Sequence, residues 1–236
     1  MYQMTIGTEK RLSEWICMID KRIRPLVERN GIMVVEEDKN RIWLGIGFQK
    51  DARVEERLYR ALYDFYLRDL KEEYLYSNIK QYATNDYLVR VYVKVLSGFN
   101  VDDEDRLFKE RFTLYSNFSL DGFYRFRFSQ IKEKWNDLLI LSYNNIDLIR
   151  NVRSLRLLIK HLVACLPKAY DDVYVDYYNN EYKLKFSKDF EIFSKDYDGV
   201  VFALIENVPD RITLSKTALS TGIFSRIKEL FDVKNV

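Results

Sequence analysis

The scarcity of turn-forming residues constrains this chain more than any other feature. Only 8 glycines and 3 prolines occur in 236 residues, against usual shares of roughly 7% and 5%. A sandwich or barrel needs a turn roughly every 8–12 residues. A chain with so few residues that accept positive φ or preset a turn is expected to build long helices instead. The expected fold class is α+β: predominantly helical, with an N-terminal β-hairpin and a small C-terminal antiparallel sheet.

Apolar periodicity fills in that frame. Residues 8–29 carry Leu12, Trp15, Ile16, Ile19, Ile23, Leu26 and Val27 at helical spacing,. Pro25 kinks this helix or ends it early, and Asn30-Gly31 supplies a stop. Residues 32–36 and 41–48 pair as a hairpin around Asp38-Lys39-Asn40. The longest helical signal covers 51–81, with Val54, Leu58, Leu62 and Phe65 on its apolar face, widened by Tyr59, Tyr63, Tyr66 and Leu70. Arg57, Arg60, Asp64, Arg68 and Lys71 mark its solvent side. Helices follow at 86–96 and 103–115, the second opened by acids that suit a helix N-terminus.

Two more helices are expected at 123–143 and 146–166, the latter stopped by Pro167. Residues 173–177 and 182–186 flank Asn179-Asn180 as a second hairpin. A helix at 196–206, a strand at 211–214 and a helix at 224–231 complete the pattern. The expected division is a mainly helical domain with the N-terminal hairpin at 1–168, and a small α+β subdomain packed on it at 169–236, unless the two form one domain.

The 38 basic residues nearly cancel the 36 acidic ones, leaving +2. Anion binding therefore has to come from local clustering. The first thirty residues are charged throughout and no run approaches the roughly 18 apolar residues of a membrane span. The expected location is cytoplasmic. Cys17 and Cys165, both in apolar helical patterns, are expected as reduced, buried thiols.

Several chemistries lack their residues. His161 is the only histidine, which limits histidine-based metal sites and nucleophile–histidine pairs. Glycine-rich phosphate loops and CxxC or HExxH motifs do not occur. The acid pairs Glu36-Glu37, Asp102-Asp103 and Asp171-Asp172 sit at turns or helix ends, where carboxylates cap or are solvated. The chain is expected to be non-enzymatic, without cofactor or metal; a carboxylate-based active site is the remaining enzymatic alternative.

One surface stands out. Arg150, Arg153, Arg156 and Lys160 recur at helical spacing beside the apolar stripe Leu148, Val152, Leu155, Ile159, Leu162 and Leu166. No acid occurs between Leu148 and Lys168. Like charges three or four residues apart cost roughly a few tenths of a kcal/mol per pair. The four cations therefore either meet acids of the same fold, such as Asp171-Asp172 or the Asp102 run, or face an anionic partner: an acidic protein, nucleic acid, or less favourably a membrane surface. The run Phe123-Tyr124-Arg125-Phe126-Arg127-Phe128 interleaves rings with arginines, but on a helix Phe123, Phe126 and Ile131 can share a buried face, so core packing is the preferred assignment.

The stretch Ser119-Leu120-Asp121-Gly122-Phe123-Tyr124-Arg125-Phe126-Arg127 resembles the L-(E/D)-G-F-x-R-F-R core of the YtxC-like sporulation proteins of endospore-forming bacteria. Downstream, Leu155-Arg156-Leu157-Leu158-Ile159-Lys160-His161-Leu162-Val163 is similar to that family's apolar–basic helix. A hairpin follows, then an apolar helix running into Val208-Pro209-Asp210-Arg211-Ile212-Thr213-Leu214. The resemblance covers the C-terminal half, with a fainter likeness over 54–76. It implies a role in sporulation; the basic stripe adds the expectation that this role is exerted by binding another macromolecule, an unidentified protein or a nucleic acid. It carries over no catalytic or binding residue.

Overall fold

The computed structural model describes residues 2–27, 31–49 and 52–231. In chain order it contains β1 (Tyr2–Glu9), α1 (Ser13–Val27), β2 (Gly31–Glu37), β3 (Arg41–Phe48) and α2 (Ala52–Asp64). A π-helical turn (Phe65–Asp69) leads into α3 (Leu70–Ile79), α4 (Asp86–Ser97) and α5 (Val101–Arg111). Next come β4 (Asn117–Ser119), α6 (Leu120–Phe126), α7 (Ser129–Asn144), α8 (Ile146–Arg150) and α9 (Val152–Cys165). The chain continues through β5 (Tyr170–Tyr178), β6 (Glu181–Lys185), β7 (Glu191–Ser194) and α10 (Tyr197–Glu206). It closes with β8 (Pro209–Leu214), α11 (Lys216–Ser220) and α12 (Ile223–Leu230). Among the described residues helix outweighs strand, 61% to 22%, in a mixed α+β fold with one four-stranded sheet near each end of the chain.

The chain divides into two compact units, Met1–Glu73 with Val101–Asp137, and Tyr74–Asn100 with Leu138–Val236. The expected boundary after residue 168 falls inside the second unit. The reason lies in the core: Val173, Val175, Leu184 and Ile212 share one apolar cluster with Val91, Val95, Leu155 and Ile159, so the C-terminal sheet cannot be separated from α4 and α9.

In the first unit the expected hairpin β2–β3 is present, and β1 joins it on the far side of β3, with β4 parallel at its edge. β1 replaces the helix start expected at Thr8. The helix expected over 8–29 begins as a helical turn at Lys10 and takes α geometry from Ser13; Pro25 lies inside it without ending it there. The expected end at Arg29, the Asn30 stop and the helix start at Asp51 lie outside the described residues. Strict alternation in β3 buries Ile42, Leu44, Ile46 and Phe48 with Met4 and Ile6, and α1 buries Ile16, Ile19, Ile23 and Val27. On the other face Trp43 lies over Gly7, where a Cβ would come within 2.1 Å of its ring.

Rings fill the rest of this core. Tyr66 packs against Phe123 at 5.0 Å and Phe128 at 5.4 Å between centroids, and its hydroxyl donates to the Leu120 carbonyl at 2.8 Å. The helix expected over 123–143 is broken at Arg127-Phe128. Phe123, Ile131 and Phe128 are buried, whereas Phe126, expected to share a face with Phe123 and Ile131, ends α6 and is 82% exposed. Lys71, expected on the solvent side, is fully buried. The π turn contains one residue more than an α turn, so Phe65, Tyr66 and Leu67 all point inward and the following positions are rotated,.

In the second unit β5, β6 and β7 are antiparallel. Asn179 and Asn180 form the β5–β6 turn with φ of 53° and 62°, the left-handed pair that a two-residue hairpin needs. The fourth strand, β8, is parallel to β5 and reached through α10, so the expected antiparallel sheet is mixed at that edge. α4 is buried almost all round, through Leu88, Val89, Val91, Tyr92, Val93, Val95 and Leu96. The helix expected over 146–166 is two helices. Asn151 leaves helical geometry at ψ 118° and its side chain accepts the Ser154 N–H at 3.0 Å, capping α9. The buried stripe consists of Ile149, Leu155, Ile159, Val163 and Leu166, with Leu148 turned outward. No described helix is long and apolar enough to cross a membrane.

Candidate functional site

The break at Asn151 shapes the basic surface. An uninterrupted helix presents Arg150 and Arg153 as a ridge; the turn between α8 and α9 opens a cleft of about 630 Å³ instead. Arg150, Arg153 and Arg156 line it, with Asn151, Val152, Leu157 and Glu229. Three of the four predicted cations are thus brought together around a concavity. Lys160 is half-buried, already engaged within the protein, and not part of the lining.

The three arginines differ in how far the fold neutralises them. Arg150 stands 3.8 Å from the exposed Asp147 one turn earlier, an outer-limit ion pair at the surface, which contributes little. Arg153 is exposed and has no ion-pair partner among the described residues. The Arg156 Nε lies 3.6 Å from the Glu229 carboxylate; that nitrogen is buried and makes no hydrogen bond there. A buried donor left unsatisfied costs about 1–3 kcal/mol.

The acids available from sequence to neutralise the stripe are occupied elsewhere or solvated. Asp172 pairs with Arg211 at 3.0 Å, Asp103 with Arg106 at 3.3 Å, and Asp105 with Lys109 at 2.7 Å. Glu229, on α12, is the single carboxylate of the lining among the described residues. The neighbouring Tyr87 feels the same charges. Burial pushes its hydroxyl up to about 12; Asp198 and Glu229 act in the same direction, against Arg226 and Arg156.

Leu157 adds the apolar component. It is 64% exposed at the cleft, so the surface offers guanidinium donors beside an uncovered aliphatic side chain. Sequence periodicity missed this residue and Glu229. It also ran through Asn151, whose signal is an asparagine placed just before an apolar-periodic run.

Other candidate chemistry is dispersed. His161 and Cys165 are exposed one helical turn apart, with Nε2 and Sγ 4.0 Å from each other. Both cysteines are free, as expected, but exposed rather than buried, because each lies off the apolar stripe of its helix. Among the described residues no three His, Cys, Asp or Glu side chains cluster as a metal ion requires. Glu37 pairs with Lys10 at 2.8 Å. No family model matches this chain, and no curated protein or solved structure matches it either.

Proposed function

We propose that this chain is a non-enzymatic binding protein of a sporulating bacterial cell, acting in the cytoplasm by holding an acidic segment of a partner protein in the α8–α9 cleft. The observation that supports the proposal is the cleft's composition, three arginines to one carboxylate with Leu157 left in water. Guanidinium groups hold carboxylates through paired N–H donors. An apolar residue of the same segment covers Leu157. The sporulation setting rests on the resemblance of the Ser119–Arg127 stretch and of the element order after it.

Nucleic acid is the second reading, since the same arginines can neutralise phosphates. Glu229 inside the lining weighs against a surface built for a polyanion. Titrating a labelled Glu/Leu peptide and an oligonucleotide of equal charge, each at low and moderate salt, separates the two. The peptide is expected to bind preferentially, and Arg150→Glu with Arg153→Glu to weaken it roughly tenfold or more, as loss of charged hydrogen bonds requires. Both side chains are exposed, so thermal melting should be unchanged. Equal peptide affinity in the doubly reversed chain removes the cleft from the function. Preference for the oligonucleotide, with affinity that falls steeply as salt rises and is lost in the doubly reversed chain, assigns the cleft to nucleic acid instead. Unaltered spore yield in a deletion strain removes the sporulation setting.

A further inference from the structure

A second cleft lies in the first unit, beside β4 and α6, with a volume of about 260 Å³. Phe126 and Tyr115 stand on it, 82% and 59% exposed, and Arg111 and Arg127 flank them. Among the described residues no carboxylate belongs to the lining. Two nearby acids are already taken: Asp121 accepts from Arg41 at 2.9 Å, and Glu9 binds Arg125 at 2.6 Å. Arg127 has no ion-pair partner among the described residues. Arg111 donates through one terminal nitrogen to Gln130 at 2.7 Å, while its buried Nε makes no hydrogen bond there.

We infer that this cleft takes one unstacked base, with its phosphate, from single-stranded nucleic acid. Two rings exposed beside two cations, with no acid in the described lining, suit a ligand that is flat, aromatic and anionic at once. Every base has a π-face, and stacking on an aromatic side chain contributes about 1–3 kcal/mol per base. Arginine adds phosphate neutralisation and cation–π contact. The cleft is smaller than the roughly 300–1,000 Å³ of sites that enclose a free ligand, and Phe126 projects outward. Both features fit a base presented by a strand running past the surface, not a free nucleotide held within. The inference is independent of the α8–α9 cleft.

The test is anisotropy titration of the full chain with a short labelled single strand. Phe126→Ala is expected to weaken binding roughly tenfold, and Phe126→Tyr to keep it within about twofold. Arg127→Ala should lower affinity and reduce the salt slope by about one. The Arg150→Glu/Arg153→Glu chain should bind the strand as the unaltered protein does, which separates this site from the one above. Phe126 and Arg127 are exposed, and circular dichroism verifies that each variant folds. The inference is overturned by any of these results: no strand bound at low salt, unchanged affinity in Phe126→Ala, equal binding of the corresponding duplex, or equal binding of a mononucleotide.

Discussion

Lys71 and Glu104 meet inside the first unit, 0% and 1% exposed, with the ammonium nitrogen 2.7 and 2.8 Å from the two carboxylate oxygens. Burial raises the Glu104 carboxyl to about 7 against the pull of Lys71, and burial lowers the Lys71 ammonium despite Glu104. Both directions say that desolvation outweighs the attraction. Lys71→Met strands the carboxylate and should cost about 3–5 kcal/mol in urea unfolding, while Lys71→Met with Glu104→Met should recover most of it. Glu104 binds its proton more tightly folded than unfolded. Its contribution to stability is therefore present below pH 4.5 and is lost as pH rises through about 7,. Relative to Glu104→Gln, the unaltered chain should lose stability across that window, which unfolding at a series of pH values checks. Lys71, which burial holds below 10.5, acts with opposite sign. None of this was legible in the sequence, where Lys71 continues a row of solvent-facing charges. Only the π turn at Phe65–Asp69 rotates it inward, and no residue type there announces a π turn.

At the scale of elements, local chemistry transmitted well where it involved punctuation. Asn179-Asn180 marked a hairpin turn that has the required left-handed geometry. The apolar run at 200–205 became a buried helix because an Asp196 cap starts it, accepting the Gly199 N–H at 2.7 Å. Asn151 was the missed punctuation. It lies between two good helical patterns, and the pattern alone runs through it. Asn151→Ala removes the α9 cap and should lower stability by about 1 kcal/mol, read as a fall in melting temperature. β1 was missed for a different reason. Its alternating Met4, Ile6 and Thr8 are all buried, but the strong helical pattern after Lys10 extends by inspection into Thr8. β4 is three residues long and β8 is parallel, and both depend on partners far away in sequence. Of the candidate site, the arginines were visible. The cleft, the exposed Leu157 and the opposing Glu229 were not, because they arise from the α8–α9 break and from α12 seventy residues on.

The whole molecule is organised by cores that are discontinuous in sequence. Residues 169–236, which composition suggested as a subdomain, bury Val200, Leu204 and Ile212 in a cluster that also needs Val91, Val95 and Ile159. A fragment of 169–236 expressed alone should show poorly dispersed amide resonances and no cooperative melting. A folded fragment would contradict the shared core. The order of the segments also affects synthesis. The first unit acquires its last piece, ending at Asp137, only after α4 has been made, and α4 belongs to the second unit. Translation proceeds at about 5–20 residues per second. For some seconds after it leaves the ribosome, therefore, α4 carries an almost wholly greasy circumference whose covering, from Leu138 onward, does not yet exist. That interval is when a nascent chain of this design most needs a chaperone.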